Sequence, residues 1–293
     1  METKIIKLKM GRTLCFAQSG DPEGRPVFFF HGAPGSRLFH PPEKITINHG
    51  VRLITIDRPG YGESSFQPRR TILDWAIDIK ELADHLGIQK FYLASHSAGG
   101  PYVLACSHTI QDRVISASII SSVGPFEAIK TGTKISKVNH LGFRFSRYLP
   151  WTVWRSLVIS IYRRRSQDPW VDIDRQAPNR TNADAEMIKI ADVRNNCVES
   201  EVEAFKHGLT GLAWDVCLIT RPLGFPLEEI KVPVRIWHGS DDNQAPATMA
   251  HYLASKIPLS SKRIIQGEAH LMIFKYWEEI LIDLLDSKSQ KPI

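Results

Sequence analysis

The strongest indication of the fold is the stretch Phe91-Tyr92-Leu93-Ala94-Ser95-His96-Ser97-Ala98-Gly99-Gly100. Its apolar and aromatic start, residues 91–94, predicts a buried strand, and the apolar run from Pro101 onward predicts a buried helix. Ser97 lies between the two, with small residues two positions before it and two positions after it. A serine on a sharp turn crowds those neighbours, so both must be small. The pattern is typical of a nucleophile elbow, in which the turn lifts the hydroxyl clear of the sheet.

The turn around Ser97 also has an electrostatic consequence. It places the backbone N–H of Ala98 at a helix N-terminus, where negative charge is favoured. Ser95 stands where such an elbow usually carries glycine, so this stretch alone also fits a turn rich in glycine and serine without any chemistry.

A loop rich in glycine and proline, residues 31–36, follows an unbroken apolar run at 26–30. That run predicts a strand buried on both faces. Such a loop at the C-terminal end of a central strand allows the backbone to approach a ligand closely. We therefore expect the N–H of Ala33 to be the second donor of an oxyanion hole, beside that of Ala98.

The remaining chain alternates predicted strands and helices. Strand patterns cover 4–10, 12–17, 51–56, 114–120, 232–237 and 261–265, and helical patterns cover 71–86, with Thr71 as the cap, 247–257 and 271–285. This alternation predicts an α/β fold, a mostly parallel central sheet with helices on both faces. Residues 124–225 contain no clear buried strand but have helical patterns over 151–159 and 184–193. They predict a helical insertion over the strand ends, where sites form in such sheets.

Composition narrows the class of protein further. The 293 residues suffice for one α/β domain with an insertion. Four scattered cysteines without a CxxC pair predict free thiols in a reducing cytosol. No leader pattern is present and no apolar run approaches the ~20 residues needed to span a bilayer, so we expect a cytoplasmic protein. We assign the net charge of +6 to a solvated basic face, since no nucleic-acid module is recognisable.

Two titratable groups follow the last two predicted strands. Asp241 or Asp242 comes after the strand at 232–237, and His270 comes after the strand at 261–265. A serine hydroxyl needs an imidazole to take its proton, and the imidazole needs a carboxylate that fixes its tautomer. The order Ser97, aspartate, His270 is the one expected for acyl transfer on this type of sheet. The pattern itself leaves the choice between the two aspartates open.

Together these segments resemble the α/β-hydrolase fold superfamily over nearly the whole chain. The matching residues are 31–35, 57–64, 95–100, 239–246 and His270. The resemblance implies that Ser97 is the nucleophile, Asp242 the acid and His270 the base. It also implies a core of residues 1–123 and 226–293, a helical cap over 124–225, and neither a cofactor nor a metal.

The resemblance makes carboxylic-ester hydrolysis the expected activity, and the apolar residues of the predicted cap favour small to medium, uncharged esters. Haloalkane dehalogenases and epoxide hydrolases are disfavoured because those relatives use an aspartate nucleophile. Prolyl aminopeptidases rank lower because their elbow usually carries tryptophan where this chain has Ala98. Hydrolysis of C–C bonds, lactones or thioesters and cofactor-free haloperoxidase-like activity remain open. So does a ligand receptor of the same fold with slow turnover.

We expect the substrate pocket to draw on both the strand-end loops and the cap. The side chains predicted to contact substrate are His31, Gly32, His96, Trp151 and Trp154. Further apolar candidates for the pocket wall are Leu141, Phe143, Leu149, Leu157 and Val158. The basic run Arg163 to Arg165 is predicted to be a solvated face and not a guide for an anionic substrate.

Overall fold

A single eight-stranded sheet lies at the centre of the computed structural model, which describes residues 2–125, 128 and 148–286. The strands are β1 (Glu2–Lys7), β2 (Thr13–Gly20), β3 (Arg25–Phe30), β4 (Val51–Ile56), β5 (Phe91–His96), β6 (Val114–Ile120), β7 (Val234–Gly239) and β8 (Ser260–Ile265). Their spatial order is β1-β2-β4-β3-β5-β6-β7-β8. Strand β2 is antiparallel to β1 and β4, and β3 to β8 are parallel. The predicted mostly parallel sheet is confirmed.

The helices connect the parallel strands and form the segment between β6 and β7. They are α1 (Glu43–Asn48), α2 (Asp74–His85), α3 (Gly100–Thr109), α4 (Trp151–Gln167), α5 (Pro169–Arg175), α6 (Asn182–Lys189), α7 (Ala191–Ala204), α8 (Thr210–Ile219), α9 (Ala247–Lys256) and α10 (Ile273–Leu285). Within the described residues, no helix combines the length and the apolar composition that crossing a membrane requires.

The side chains of β3 show how the sheet is covered on both faces. Phe28 and Phe30 pack into an apolar cluster with α2, α3 and α9, whereas Val27 and Phe29 pack with α10 on the other face. Successive side chains of a strand point to opposite faces, so a strand covered twice must be apolar throughout. Full burial of one such side chain contributes about 1.5–3 kcal/mol. The unbroken apolar run therefore fixes β3 in the middle of the sheet.

Several element boundaries differ from their predictions. Strands β4 and β6 have the predicted bounds, but β1 ends at Lys7 because Leu8 to Arg12 form a turn, with Gly11 at φ 81°. Helix α2 begins at Asp74 and is not capped by Thr71, since Asp74 Oδ2 instead accepts a hydrogen bond of 2.6 Å from Thr71 N.

The helices of the insertion differ from their predictions in their bounds. The helix predicted at 151–159 extends to Gln167. The predicted helix at 184–193 is two helices, α6 and α7, that are separated by Ile190 in an extended conformation.

In the core, helix α1 was not predicted, because its six residues are too few for a periodic pattern.

The segment between β6 and β7 packs on the core through its own apolar cluster. Trp154, Val158 and Leu212 of this segment share that cluster with Tyr61, which belongs to the loop after β4. The division into a core of 1–123 and 226–293 and a cap of 124–225 stays a prediction. Leu141 and Phe143, predicted for the pocket wall, lie outside the described residues.

Candidate active site

Five loops meet at one edge of the sheet because they all follow the C-terminal ends of parallel strands. They are residues 31–36 after β3, 57–64 after β4, 97–99 after β5, 240–246 after β7 and 266–270 after β8. This is the edge where α/β sheets form their sites. All the strand-end residues singled out from the sequence lie in these loops or next to them.

Ser97 occupies a strained turn directly after β5. Its φ of 55° is in the left-handed region, and residues Ser97–Gly99 form a 3₁₀ turn that leads into α3. Gly99 must lack a side chain, since a Cβ there would lie 2.3 Å from the carbonyl oxygen of Phe30. Ser95 is fully buried whereas Ser97 is partly exposed. The strand, turn and helix thus present the Ser97 hydroxyl and hide that of Ser95.

Asp242 and not Asp241 contacts His270. Asp242 Oδ2 lies 2.8 Å from His270 Nδ1, and its other oxygen, Oδ1, accepts hydrogen bonds from the backbone N–H groups of Gln244 at 2.8 Å and Ala245 at 2.9 Å. Asp241 is exposed, and its carboxylate accepts a hydrogen bond from its neighbour Ser240. The loop therefore fixes one carboxylate beside the imidazole and turns the other to solvent.

His96 joins the histidine loop to the elbow. Its Nε2 donates a hydrogen bond of 2.8 Å to the backbone oxygen of His270, and the two rings lie 4.7 Å apart. The His96 ring also stacks on Phe39, with ring centroids 5.0 Å apart. Burial, followed by the proximity of His270, lowers the pKa of His96 to about 3, so its ring is neutral. Since His96 precedes Ser97, this bond joins the loop that carries His270 to the end of the strand that leads into the Ser97 turn. A catalytic contact between Ser97 and His270 stays a prediction.

The charges around His270 favour its protonated form. Burial alone would lower the pKa of His270, but Asp242 outweighs it, with a further contribution from Asp184, and the pKa is raised. Asp184 belongs to α6 and is 2% exposed. Its Oδ1 accepts a hydrogen bond of 2.7 Å from Leu271 N, and its Oδ2 has no hydrogen-bond partner among the described residues. Burial raises the pKa of Asp184, with His270 opposing that shift.

The loop after β3 runs against the elbow. A Cβ placed on Gly32 would lie 3.2 Å from the Cβ of Ser97 and 3.7 Å from its Oγ. Neither the N–H of Ala33 nor that of Ala98 donates a hydrogen bond to any of the described residues. Both predicted oxyanion donors thus belong to backbone segments beside or within the Ser97 turn. That they bind a developing negative charge stays a prediction.

His31 supports the shape of this loop. Its Nδ1 donates to the Gly32 carbonyl oxygen at 2.7 Å, and its Nε2 accepts a hydrogen bond from the backbone N–H of Arg58 at 3.4 Å. The tautomer follows from these partners. Burial, followed by the charge of Arg58, lowers the pKa of His31 well below its usual range. Both ring nitrogens are engaged within the protein, and a substrate contact by His31 stays a prediction.

The tryptophans predicted to contact substrate make packing contacts within the insertion. Trp154 is buried and donates a hydrogen bond of 3.1 Å from Nε1 to the backbone oxygen of Ala213. Trp151 packs edge-on against Trp214 with ring centroids 4.5 Å apart. A pocket-wall role for either stays a prediction.

The residues predicted for the pocket wall and the basic run differ in how exposed their side chains are. Val158 is buried in the insertion cluster and Leu149 packs at its edge, whereas Leu157 is exposed. Arg163 and Arg164 are exposed, as predicted for a solvated face. Arg165 corrects that prediction, because it is half-buried and pairs with Glu201 at 2.7 Å.

Sequence reasoning assigned no role to three charged residues at or near this edge: Arg58, Asp184 and Asp215. Asp215 and the Arg58 side chain are fully buried and form an ion pair at 2.7 Å. A signal for Asp215 did exist, because it is the one charged residue in the apolar run 212–219, and a buried charge needs a partner. Asp184 has no comparable signal, since α6 is mixed in polarity throughout.

A sequence model of the α/β hydrolase fold matches residues 25–275. The chain belongs to the α/β-hydrolase fold family. The fold family predicted from the elbow and the strand-end loops is therefore confirmed, and so is the prediction that the protein is a hydrolase of this kind.

Within the α/β-hydrolase fold family, two curated relatives and one solved structure illustrate the similarity. A dihydrolipoyllysine-residue acetyltransferase component of the acetoin cleaving system of Pseudomonas putida is 37% identical over 123 residues, 41% of this chain and 32% of that relative. The chain thus spans about a third of the length of that relative. A proline iminopeptidase of Lactobacillus helveticus is 26% identical over 274 residues, 88% of this chain and 87% of the relative. A thermophilic esterase from Thermogutta terrifontis superposes with a TM-score of 0.67 at 20% identity, covering 97% of this chain and 96% of that one.

Proposed function

We propose that this α/β-hydrolase cleaves carboxylic esters through an acyl-enzyme on Ser97. The observation that carries the proposal is the contact between Asp242 and His270, in a loop that His96 ties to the Ser97 turn. The contact fixes the tautomer of the proposed base, and the strained turn presents the proposed nucleophile, which supports acyl transfer.

The reaction proceeds in two halves. His270 Nε2 takes the proton of Ser97 Oγ as the oxygen attacks the ester carbonyl, and the N–H groups of Ala33 and Ala98 stabilise the oxyanion. The tetrahedral intermediate collapses, His270 returns the proton to the departing alcohol, and the acyl group stays on Ser97. Water then attacks this ester with His270 again as the base, which releases the acid and restores the serine. Asp242 stabilises the imidazolium in both halves.

The electrostatics of the site favour uncharged substrates over anionic ones. Two buried carboxylates, Asp242 and Asp184, act on His270 and repel a negative group brought beside it. Arg165 pairs with Glu201 and so is not free to attract an anion. We therefore propose small to medium, uncharged, apolar esters, whose binding energy comes from buried apolar area at ~25 cal/mol per Å².

A second candidate is removal of an N-terminal proline from peptides. It is favoured by the proline iminopeptidase of Lactobacillus helveticus, which aligns with 88% of this chain. The carboxylate of Asp184 near His270 suits a positively charged substrate amine better than an anionic group. Ala98 disfavours this candidate, because the elbow of prolyl aminopeptidases usually carries tryptophan at that position.

A substrate panel with a covalent probe tests both candidates. Chromogenic esters of graded acyl length, a lactone and prolyl p-nitroanilide are assayed side by side with the wild type and with Ser97→Ala. We expect ester turnover to exceed amide turnover, Ser97→Ala to fold normally and lose nearly all of it, and a fluorophosphonate probe to label Ser97 alone. Dominant hydrolysis of prolyl p-nitroanilide would establish the second candidate. Labelling at Ser95, or full activity of Ser97→Ala, would disprove the proposed nucleophile. Ligand-dependent stabilisation with little product would indicate a slow receptor.

A further inference from the structure

A buried charge cluster that the proposed reaction does not use lies between the core and helix α8. It consists of Arg58, Tyr61, Arg70, Tyr102 and Asp215, which we call the Asp215 cluster, and none of its members is more than 3% exposed. Asp215 accepts hydrogen bonds from Tyr102 at 2.5 Å, from Tyr61 at 3.1 Å and from Arg70. A buried ion pair is weak grounds for stability, because desolvating its charges costs as much as their attraction returns. The position of this cluster therefore calls for another explanation.

Arg58 connects the Asp215 cluster to the loop beside Ser97. Its Nε donates to Asp215 Oδ2 at 2.8 Å, while Nη2 donates to the carbonyl oxygen of Gly32 at 2.8 Å and Nη1 donates to that of His31. The guanidinium carbon lies 5.3 Å from the ring centre of Tyr61 and 4.9 Å from that of Tyr102. The planar guanidinium of Arg58 is thus held on one side by the Asp215 carboxylate of α8. On the other side it is held by the carbonyl groups of His31 and Gly32 in the loop after β3.

The peptide bond between Gly32 and Ala33 links the contact of Arg58 to the proposed oxyanion hole. Its carbonyl oxygen accepts two hydrogen bonds, from Arg58 Nη2 at 2.8 Å and from His31 Nδ1 at 2.7 Å. The peptide is planar and trans, so its N–H, which belongs to Ala33, points opposite to the held oxygen and away from Arg58. Fixing the carbonyl therefore fixes the direction of the N–H. A cation on the oxygen also polarises the peptide and strengthens the N–H as a donor.

We infer that Arg58, held by Asp215 of helix α8, is a positioning residue that orients the N–H of Ala33 toward the oxyanion. This inference rests on the proposed function. It has one consequence for the fold: the oxyanion hole is complete only when α8 is docked on the core, because the carboxylate that anchors Arg58 comes from that helix. The segment between β6 and β7 thereby contributes to transition-state stabilisation through Asp215, a side chain that is fully buried.

Arg58→Lys tests the inference, because lysine keeps the charge but cannot form the fork that reaches two carbonyl groups. We measure kcat and KM on a chromogenic ester and the rate constant with which a fluorophosphonate modifies Ser97. Loss of one oxyanion donor costs about 10²–10³ in kcat, and a misaimed donor should lower kcat and the labelling rate about 10- to 100-fold with little change in KM. The rate constant is taken per labelled site, so unfolded molecules do not affect it.

Glu203→Gln is the matched control. Glu203 of α7 pairs with Arg37 at 2.7 Å and also joins the insertion to the core, but the pair touches neither His31 nor Gly32. We expect this variant to keep the wild-type labelling rate. If Arg58→Lys does not fold, Asp215→Glu replaces it, since it keeps the charge but shifts the carboxylate, and we expect the same loss confined to kcat.

The outcomes separate this inference from the proposed function. A wild type that is not labelled at Ser97 overturns the proposed function. A labelled wild type with an unchanged rate in Arg58→Lys overturns only the role of Arg58, as does an equal loss in Glu203→Gln or a loss confined to KM.

Discussion

Replacing Asp242 by asparagine should abolish most activity through the tautomer of His270. Asp242 Oδ1 accepts two backbone hydrogen bonds, from Gln244 N at 2.8 Å and Ala245 N at 2.9 Å. The asparagine must keep its oxygen at that position, since its NH₂ group cannot accept. The NH₂ group then faces His270 Nδ1 in place of Oδ2, which lies 2.8 Å away in the wild type.

The wrong tautomer follows from this geometry. A donor opposite Nδ1 makes Nδ1 the acceptor and places the ring proton on Nε2, so His270 cannot take the proton of Ser97. Loss of the orienting carboxylate in a serine triad lowers kcat by about 10⁴, which corresponds to about 5 kcal/mol of transition-state stabilisation. The pKa of His270 should also fall, because Asp242 raises it in the wild type.

The assay compares Asp242→Asn with Asp241→Asn on a saturating chromogenic ester over a range of pH. Asp241 is exposed and does not contact His270, so we expect Asp241→Asn to keep most of the wild-type kcat. His270 must be neutral to act as a base, so activity falls as the pH drops through its raised pKa. In Asp242→Asn the acid limb of the residual activity should lie at lower pH than in the wild type. Equal activities, or a greater loss in Asp241→Asn, would refute the assignment.

Three further predictions concern the surroundings of the site. Asp184→Asn removes a charge that raises the pKa of His270, so the acid limb of kcat/KM should move to lower pH; a limb that stays in place would contradict this coupling. Gly211→Ala should lower the free energy of unfolding by about 1–3 kcal/mol, because its Cβ would lie 2.1 Å from the Gly60 carbonyl oxygen. Thermal unfolding measures this change, and an unchanged melting temperature would contradict this packing. For neutral and anionic esters of matched length, kcat/KM should favour the neutral ester and depend weakly on salt; an anionic preference that collapses in salt would point to Arg163 and Arg164 as guides.

The sheet and the positions of its loops could be predicted from the sequence. The runs that became β4 and β6 have the predicted bounds, because strands covered on both faces are mostly apolar and these two end at polar turns. The small residues around Ser97 indicated the elbow for an equally local reason, the crowding of a sharp turn. Element order then placed His270 at the same edge as Ser97.

The choice between Asp241 and Asp242 needed more than the pattern of residues. The two are adjacent, and both follow β7, so the pattern treats them alike. The resemblance to the α/β hydrolases selected Asp242, and the structure shows Asp242 in contact with His270 and Asp241 in solvent.

The polar contacts that build the rest of the site depend on tertiary structure alone. Asp184 reaches Leu271 across 87 positions of sequence, and Asp215 reaches Arg58 across 157. Periodicity and turn residues report on the few neighbours that a backbone conformation brings together, so they indicate which face is buried but not which polar groups meet there. The local pattern of residues was thus enough to predict the sheet, the elbow and the order of the candidate triad. The charges around His270, and the contact of Arg58 with the loop after β3, depend instead on how the insertion packs on the core.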